Sequence, residues 1–494
     1  RALDAWAIDE LGISGLELME RAGIGLADRV AELWRSGRIT VVCGKGNNGG
    51  DGFVCARVLR ERGYDVRVLL LGAADDLRGD ARTNYERLTG DAPQAFAPTL
   101  VEGATVVVDA ILGTGFSGEP REPAASAIDA VNRTSSATVV ACDVPSGVDA
   151  STGEVHGPAV RAAATVTFHA AKPGLWIAPG KAHAGDVTVA DIGIPAGGPA
   201  DPSIGLIADR VVLGIPRRGR ESTKFAAGSV LVCGGSIGLT GAPCMASEAA
   251  ARAGAGYVTA CVPASLNVIF ETRLLEVLTV PLPDVGGTLE AGGADTVLKR
   301  AQRADALVLG PGIGRTSGAV ELVRAVAGST TLPLLLDADG LNAHAGRLGA
   351  LAGRAASAVL TPHAGELARL LESDSEAIEA RRLASARKAA GEARAVVVLK
   401  GDDTLIAAPD GRTAVSAGGA SALATAGTGD VLSGIIGAYL AKQMDPFHAA
   451  CAGVLVQARA GQLAAARIGP EGVIAGDVIE LVPHALIDAT RSSG

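Results

Sequence analysis

Thr40-Val41-Val42-Cys43 runs into Gly44-Lys45-Gly46-Asn47-Asn48-Gly49-Gly50-Asp51-Gly52 and then into a helix-like stretch over residues 53–62. A short β-branched run, a glycine-rich turn and a helix make one βα unit. The same rhythm returns at residues 66–71, 105–109 and 138–143. Continuous Val/Ile/Leu strands alternating with helices predict an α/β fold whose mostly parallel sheet is covered on both faces. Ligands bind such sheets outside the carboxyl ends of the strands. The polar residues that follow each apolar run are therefore the site candidates.

The chain has 494 residues, enough for two or three domains at roughly 150 residues each. Ile194-Pro195-Ala196-Gly197-Gly198-Pro199-Ala200-Asp201-Pro202 interrupts the rhythm, because proline and glycine at that density continue neither a helix nor a central strand. A connecting segment reaches to about Glu221. Strand-like runs then resume at residues 229–233, 257–262, 306–309, 334–336, 358–360 and 395–399. The halves show no residue-level repeat. Two different α/β domains are expected, over residues 1–205 and 206–494.

Composition narrows the function. With 44 Lys+Arg against 53 Asp+Glu the net charge is -9. Nucleic-acid binding needs a clustered basic face, and the richest such stretch is the short Pro216-Arg217-Arg218-Gly219-Arg220. Aromatics are 3%, too few for a base-stacking platform. Glycine is in excess, at 66 residues against a usual ~7%, and it gathers at the ends of apolar runs. The seven cysteines form no C-x-x-C pair and fit buried free thiols in a reducing compartment. Neither a signal-peptide core nor a bilayer-spanning run of ~18 apolar residues stands out. A cytoplasmic protein with no membrane or nucleic-acid partner is expected.

Read literally, residues 44–52 contain G-x-G-x-x-G, with Asp65 downstream, a dinucleotide fingerprint that also occurs as a plain tight turn. The two Asn and the Asp are not needed for a turn. They set polar side chains beside main-chain N–H groups at a helix start, where a phosphate can dock. Asp109 opens Ala110-Ile111-Leu112-Gly113-Thr114-Gly115-Phe116-Ser117-Gly118-Glu119, and Asp143 opens Val144-Pro145-Ser146-Gly147-Val148-Asp149. One such Asp could be a helix cap; several beside glycine loops read as a lined crevice. The oxygen-rich set Asn48, Asp109 and Ser146 suits a hard cation.

In the second half, Gly427-Thr428-Gly429-Asp430 precedes an apolar helix. Its amides can hold a phosphate or a transferring phosphoryl group. Asp430 can take a proton from the attacking hydroxyl, or it is simply a first-turn helix charge.

Taken together, the first-half motifs and the opening Leu18-Met19-Glu20-Arg21-Ala22-Gly23 resemble the YjeF-type N-terminal domain, the NAD(P)H-hydrate epimerase. The resemblance implies a Rossmann-like three-layer sandwich. It implies contact with the hydrated nucleotide by Asn47, Asn48, Gly49, Gly50 and Asp51, by Gly113, Thr114, Gly115, Phe116, Ser117, Gly118 and Glu119, and by Asp143. It also implies potassium at Asn48, Asp109 and Ser146, and Asp143 is the candidate acid/base.

The second half carries Gly234-Gly235-Ser236-Ile237-Gly238-Leu239-Thr240-Gly241-Ala242-Pro243, Gly310-Pro311-Gly312-Ile313-Gly314, Thr361-Pro362-His363-Ala364-Gly365-Glu366 and Lys400-Gly401-Asp402-Asp403-Thr404. With the Gly427–Asp430 turn, these resemble the ribokinase-like, ADP/ATP-dependent NAD(P)H-hydrate dehydratase. The resemblance implies that Ala242, Gly314, His363 and Asp430 contact the hydrate. Lys400, Gly401, Asp402, Asp403, Thr404 and Gly429 would contact the adenine nucleotide, and Glu366 would order Mg²⁺ through water. Lys224 stands where the family has a different basic start, so its role is left open.

The expected whole is a bifunctional repair enzyme that uses Mg²⁺, K⁺ and ADP or ATP, takes small-molecule substrates and forms a homo-oligomer. Its reaction would be dehydration driven by phosphoryl transfer, with Asp430 as the base. The alternatives are a small-molecule kinase with an N-terminal nucleotide-binding module, a Rossmann dehydrogenase and a nucleotide sensor.

Overall fold

The computed structural model describes residues 2–199, 202–219 and 227–492; Lys224 lies outside them. The chain divides into two compact units, Arg1–Pro202 and Ser203–Gly494. The division precedes the 205/206 boundary expected from sequence. The reason is a short strand, Ile204–Leu206, that pairs in parallel with Thr413–Val415 and so belongs to the second unit.

The first unit carries β1 (Ile39–Cys43), β2 (Val66–Leu70), β3 (Gln94–Ala95), β4 (Val106–Ala110), β5 (Thr138–Cys142), β6 (Ala164–Phe168) and β7 (Asp186–Ala190). All pair in parallel, in the order β3-β2-β1-β4-β5-β6-β7. The strand order reverses between β1 and β4, which opens a crevice at their carboxyl ends. The helices Gly15–Leu33 and Asn47–Glu61 pack one face of the sheet, and Ala124–Asn132 packs the other. Every residue of β1 and β4 is buried. That explains their Val-rich reading, since each buried Val contributes roughly 1.5–3 kcal/mol. The strand β7 escaped notice in the sequence because it is an edge strand none of whose residues is fully buried.

The second unit carries β8 (Ile204–Leu206), β9 (Ser229–Cys233), β10 (Tyr257–Pro263), β11 (Leu278–Leu282), the hairpin β12 (Asp284–Val285) and β13 (Thr288–Leu289), β14 (Ala306–Leu309), β15 (Leu334–Leu336), β16 (Ala358–Leu360), β17 (Val396–Leu399), β18 (Leu405–Ala407) and β19 (Thr413–Val415). Ten of them form one sheet, ordered β11-β10-β9-β14-β15-β16-β17-β18-β19-β8. The run from β11 to β17 is parallel, and β18 joins antiparallel to both neighbours. The reversal between β9 and β14 is the second switch point.

The helix Thr428–Ala441 lies buried against this sheet. Glycine lets it lie close. A Cβ at Gly437 would stand 2.5 Å from Val308 Cγ2, and one at Gly434 would stand 2.1 Å from the Ala246 carbonyl oxygen of the neighbouring helix Gly241–Arg252. Packing at that spacing brings the amino end of Thr428–Ala441 to the level of the strand ends. All seven cysteines are free and buried. No helix among the described residues is long and apolar enough to cross a membrane.

Candidate active sites

In the first unit three loops meet at the switch point. The helix after β1 begins at Asn47, with Gly46 as its cap. Asn47 to Asp51 therefore sit in its first turns, where the main-chain amides up to Gly49 have no intrahelical acceptor and that of Gly50 donates to the Gly46 carbonyl at 3.1 Å. Glycine is required here. A Cβ at Gly44 would stand 2.1 Å from the Ile111 carbonyl oxygen, and one at Gly49 would stand 1.9 Å from that of Gly44. The loop after β4 runs from half-buried Gly113 through exposed Thr114 and Gly115 to exposed Ser117, Gly118 and Glu119, with Phe116 half-buried.

Asp109 is fully buried. Its Oδ1 accepts from the Ser146 hydroxyl at 2.6 Å and from the Ile111 amide at 3.2 Å, and its Oδ2 accepts from the Ser146 amide at 2.8 Å. Burial raises its pKa to about 6, against the lowering effect of these donors. Ser146 Oγ also accepts from the Leu112 amide at 2.8 Å. The Asn48 side chain lies against Gly113, and its buried Nδ2 has no partner. Asn48, Asp109 and Ser146 are thus gathered under the Gly113 loop, as oxygen donors suited to a hard cation.

Asp143 follows β5 with a left-handed φ of 67°. Its Oδ1 meets Lys172 Nζ at 2.9 Å and accepts from Thr167 Oγ1 at 3.1 Å. Asp51 shares this neighbourhood. Burial first, and the charge of Asp143 second, raise its pKa well above the ordinary carboxylate range. In the sequence Lys172 stands out only as one of four lysines in or beside glycine-rich segments, and neither it nor Thr167 has a role there because β6 is not recognised, although Thr165-Val166-Thr167-Phe168 ahead of Lys172-Pro173-Gly174 is a β-branched run closed by a turn.

In the second unit the loops after β9 and β14 interlock. The Gly235 amide donates to the Pro311 carbonyl at 2.9 Å, and Ser236 Oγ donates to that of Gly312 at 2.9 Å. Ala242 packs against this turn, within 3.2 Å of a Cβ built at Gly312. Gly314 has φ +86° and donates its amide to Asp339 Oδ2 at 3.2 Å.

A polar cluster lies at the ends of β15, β16 and β17. Asp337 is buried, 1% exposed. Its Oδ1 takes Lys400 Nζ at 3.1 Å and its Oδ2 takes Ser433 Oγ at 2.7 Å. Lys400 Nζ also stands 3.6 Å from Glu366 Oε2, and a Cβ at Gly429 would lie 3.5 Å from it. Asp430 is half-buried beside this group. Burial, and then the charge of Asp337, push its pKa up to about 7 against the pull of Lys400. Gly427 starts the turn with φ +90°.

Several side chains at the expected contact positions already have partners within the unit. His363 is the N-cap of the helix Ala364–Leu371: its Nδ1 accepts from the Gly365 amide at 3.0 Å, and Glu366 Oε2 accepts from the His363 amide at 2.9 Å. Nδ1 thus serves as the acceptor, which leaves Nε2, 3.6 Å from Glu366 Oε1, as the ring's donor. Glu366 closes the capping box and faces Lys400, so it already has two tasks. The Lys400 ammonium is held by acids rather than left open to a phosphate. Asp403 is buried on Arg382, with Oδ2 2.9 Å from Nε, which commits its side chain. Thr404 Oγ1 closes its own turn on the Gly401 carbonyl at 2.6 Å, and Asp402 Oδ1 accepts from the Gly419 amide at 3.2 Å. Asp337 was missed although it follows Leu334-Leu335-Leu336, where the strand-end rule points.

Fold and geometry define an α/β enzyme with one site in each unit. Its sequence matches a model of the YjeF-related protein N-terminus over residues 15–174 and one of NAD(P)H-hydrate dehydratase over residues 230–484. Over 502 residues it is 40% identical to the bifunctional NAD(P)H-hydrate repair enzyme of Moorella thermoacetica, covering 98% of this chain and 94% of that one. The Salinibacter ruber protein of the same name is 38% identical over 513 residues, with the same shares covered. A ribokinase-like superfamily protein of Enterococcus faecalis, of known structure, aligns with a TM-score of 0.51 at 22% identity, over 59% of this chain and 98% of its own, and shares the fold. The chain belongs to the family of bifunctional NAD(P)H-hydrate repair enzymes. Matches over nearly the whole chain favour that reading over a small-molecule kinase with an added module.

Proposed function

We propose that the first unit interconverts the R and S hydrates of NADH and NADPH, and that the second returns the S hydrate to NAD(P)H at the expense of ADP, with ATP as the alternative donor. The observation that carries this is Asp430: a carboxylate with its pKa raised to about 7, on the first turn of a buried helix that starts at Gly427.

Hydroxide is a poor leaving group. Asp430 removes the proton of the ring hydroxyl as that oxygen forms a bond to the terminal phosphorus of the nucleotide, whose P–O bond breaks. Phosphate then departs with the C–O electron pair. A ring proton lost from the adjacent carbon leaves its electrons as the restored double bond. The amides at Thr428 and Gly429 steady the phosphoryl charge, as first-turn groups can. Ala242, Gly314 and His363 Nε2 form the hydrate side of this site. Gly401, Asp402, Thr404 and Gly429 form the nucleotide side.

No group of three or more His, Cys, Asp or Glu able to hold a metal occurs among the described residues. Mg²⁺ would be held chiefly by the nucleotide phosphates, with Glu366 ordering it through water. When bound, it neutralises phosphoryl charge. Potassium fits the oxygen set of Asn48, Asp109 and Ser146, where the Asn48 Oδ1 beside Gly113 would be one of its ligands.

In the first unit Asp143 takes and returns the proton that inversion at a hydroxyl-bearing carbon requires. Asn47 to Asp51 and Gly113 to Glu119 hold the nucleotide. The setting is the cytoplasm, and the assembly a homo-oligomer. The decisive experiment incubates the full chain with hydrated NADPH, Mg²⁺ and ADP or ATP and follows the return of NADPH absorbance. No return with either nucleotide overturns the reading.

A further inference from the structure

The crevice of the first unit also holds Lys172, to which the reading above gives no task. Its ammonium donates to the Phe168 carbonyl at 2.6 Å and meets Asp143 Oδ1 at 2.9 Å. The pair is largely out of water, with side chains 19% and 11% exposed. Thr167 Oγ1 donates to the same Oδ1. Both donors converge on one oxygen, so proton transfer falls to Oδ2.

The backbone is bent to make this meeting. β5 and β6 are adjacent and parallel, with Cys142 opposite Val166. Each strand is followed by a non-glycine residue in the left-handed region, Asp143 at φ 67° and His169 at φ 64°. Such left-handed non-glycine residues are uncommon and collect where function needs them. Here they turn the two strand ends so that Lys172 reaches back to Asp143. An ion pair serving stability alone has no need of two strained corners.

We propose that Lys172 is a positioning residue for the first unit's reaction, holding the Asp143 carboxylate in its proton-accepting form and aiming Oδ2 at the hydrate. This rests on the reading of Asp143 as the base of an epimerase. The other ionisable groups facing Asp143 are Asp51, from the helix Asn47–Glu61, and the Cys142 thiol of its own strand. Burial keeps Cys142 neutral, and burial with the charge of Asp143 raises the pKa of Asp51. Lys172 is the cation that meets the Asp143 carboxylate directly.

The test uses the full chain and the purified R hydrate of NADPH, with epimers separated chromatographically in the absence of nucleotide. Lys172→Met should slow interconversion about 10²-fold, the lower range of acid–base contributions, and should move the acid limb of its pH profile to higher pH. Lys172→Arg should restore part of the rate and return the limb. Nucleotide-dependent turnover of the S hydrate, carried by the other unit, should stay at the unsubstituted level in both variants, showing that the chain is folded. Interconversion by Lys172→Met within threefold of the unsubstituted chain overturns the proposal. So does a slowed rate with an unmoved acid limb and no recovery in Lys172→Arg, which would make the ion pair structural. Asp143→Asn run beside them separates the two claims: undiminished interconversion there removes the base itself, whatever Lys172 does.

Discussion

Lys400 and Asp337, 63 residues apart in sequence, meet at 3.1 Å at the carboxyl ends of adjoining parts of one sheet. Asp337 is buried, so the lysine is the counter-charge for an acid that cannot reach water. Glu366 shares the same ammonium at 3.6 Å, and Asp430 feels all three charges. The second site is a charge network before any nucleotide enters it.

Removing that counter-charge should unfold the site before it weakens a nucleotide contact. Lys400→Met leaves Asp337 and Glu366 without their cation, and stability should fall by about 3 kcal/mol, the scale for breaking a buried pair. Urea unfolding measures this. A variant as stable as the unsubstituted chain, with only the nucleotide KM raised, would return Lys400 to a simple binding role.

Asp430→Asn should lower nucleotide-dependent NADPH recovery by about 10²–10⁴-fold. In the unsubstituted chain the base must be ionised, so kcat/KM should rise with pH and level off above about 7. A flat profile from pH 5 to 8 would argue against this acid.

The same substitution should stabilise the fold at neutral and basic pH. A carboxylate whose pKa is raised from 3.8 to about 7 on folding binds its proton more tightly when folded. Its stabilising effect is present at low pH and is lost as pH rises through that window. The advantage of Asp430→Asn should open from about pH 4 and be full above about pH 7, read as a larger Tm gain over the unsubstituted chain at pH 8 than at pH 3. An equal Tm difference at both values would contradict the raised pKa.

Gly310→Ala should damage the second site from outside the chemistry. Gly310 has φ +122°, and a Cβ there would stand 2.1 Å from the Asp337 carbonyl oxygen. Strain and overpacking of this kind cost about 1–3 kcal/mol each. Loss of dehydration with epimerisation intact is the expected pattern; an unaffected dehydratase would mean that the loop yields freely.

His363→Ala should cost about 1 kcal/mol through the lost cap, whereas His363→Asn should keep the stability and raise only the hydrate KM. Thermal unfolding and initial rates of the two variants distinguish these outcomes.

Local order was legible in the chain itself. Buried parallel strands need runs rich in Val, Ile and Leu, and tight turns at strand ends need glycine, so β1, β2, β4, β5, β9, β10 and β14 to β17 stand out together with the loops after them. Asp109, Asp143 and Asp430 could be picked because each follows such a pattern. Which side chains meet was a matter for the tertiary structure. The pairs Lys172–Asp143 and Lys400–Asp337 join loops that follow different strands, and strand order, not sequence distance, decides such neighbours. The committed side chains of Asp403 and His363 were hidden for the same reason: a motif states which residue types are present, while burial and partners decide which of their atoms remain to bind a ligand.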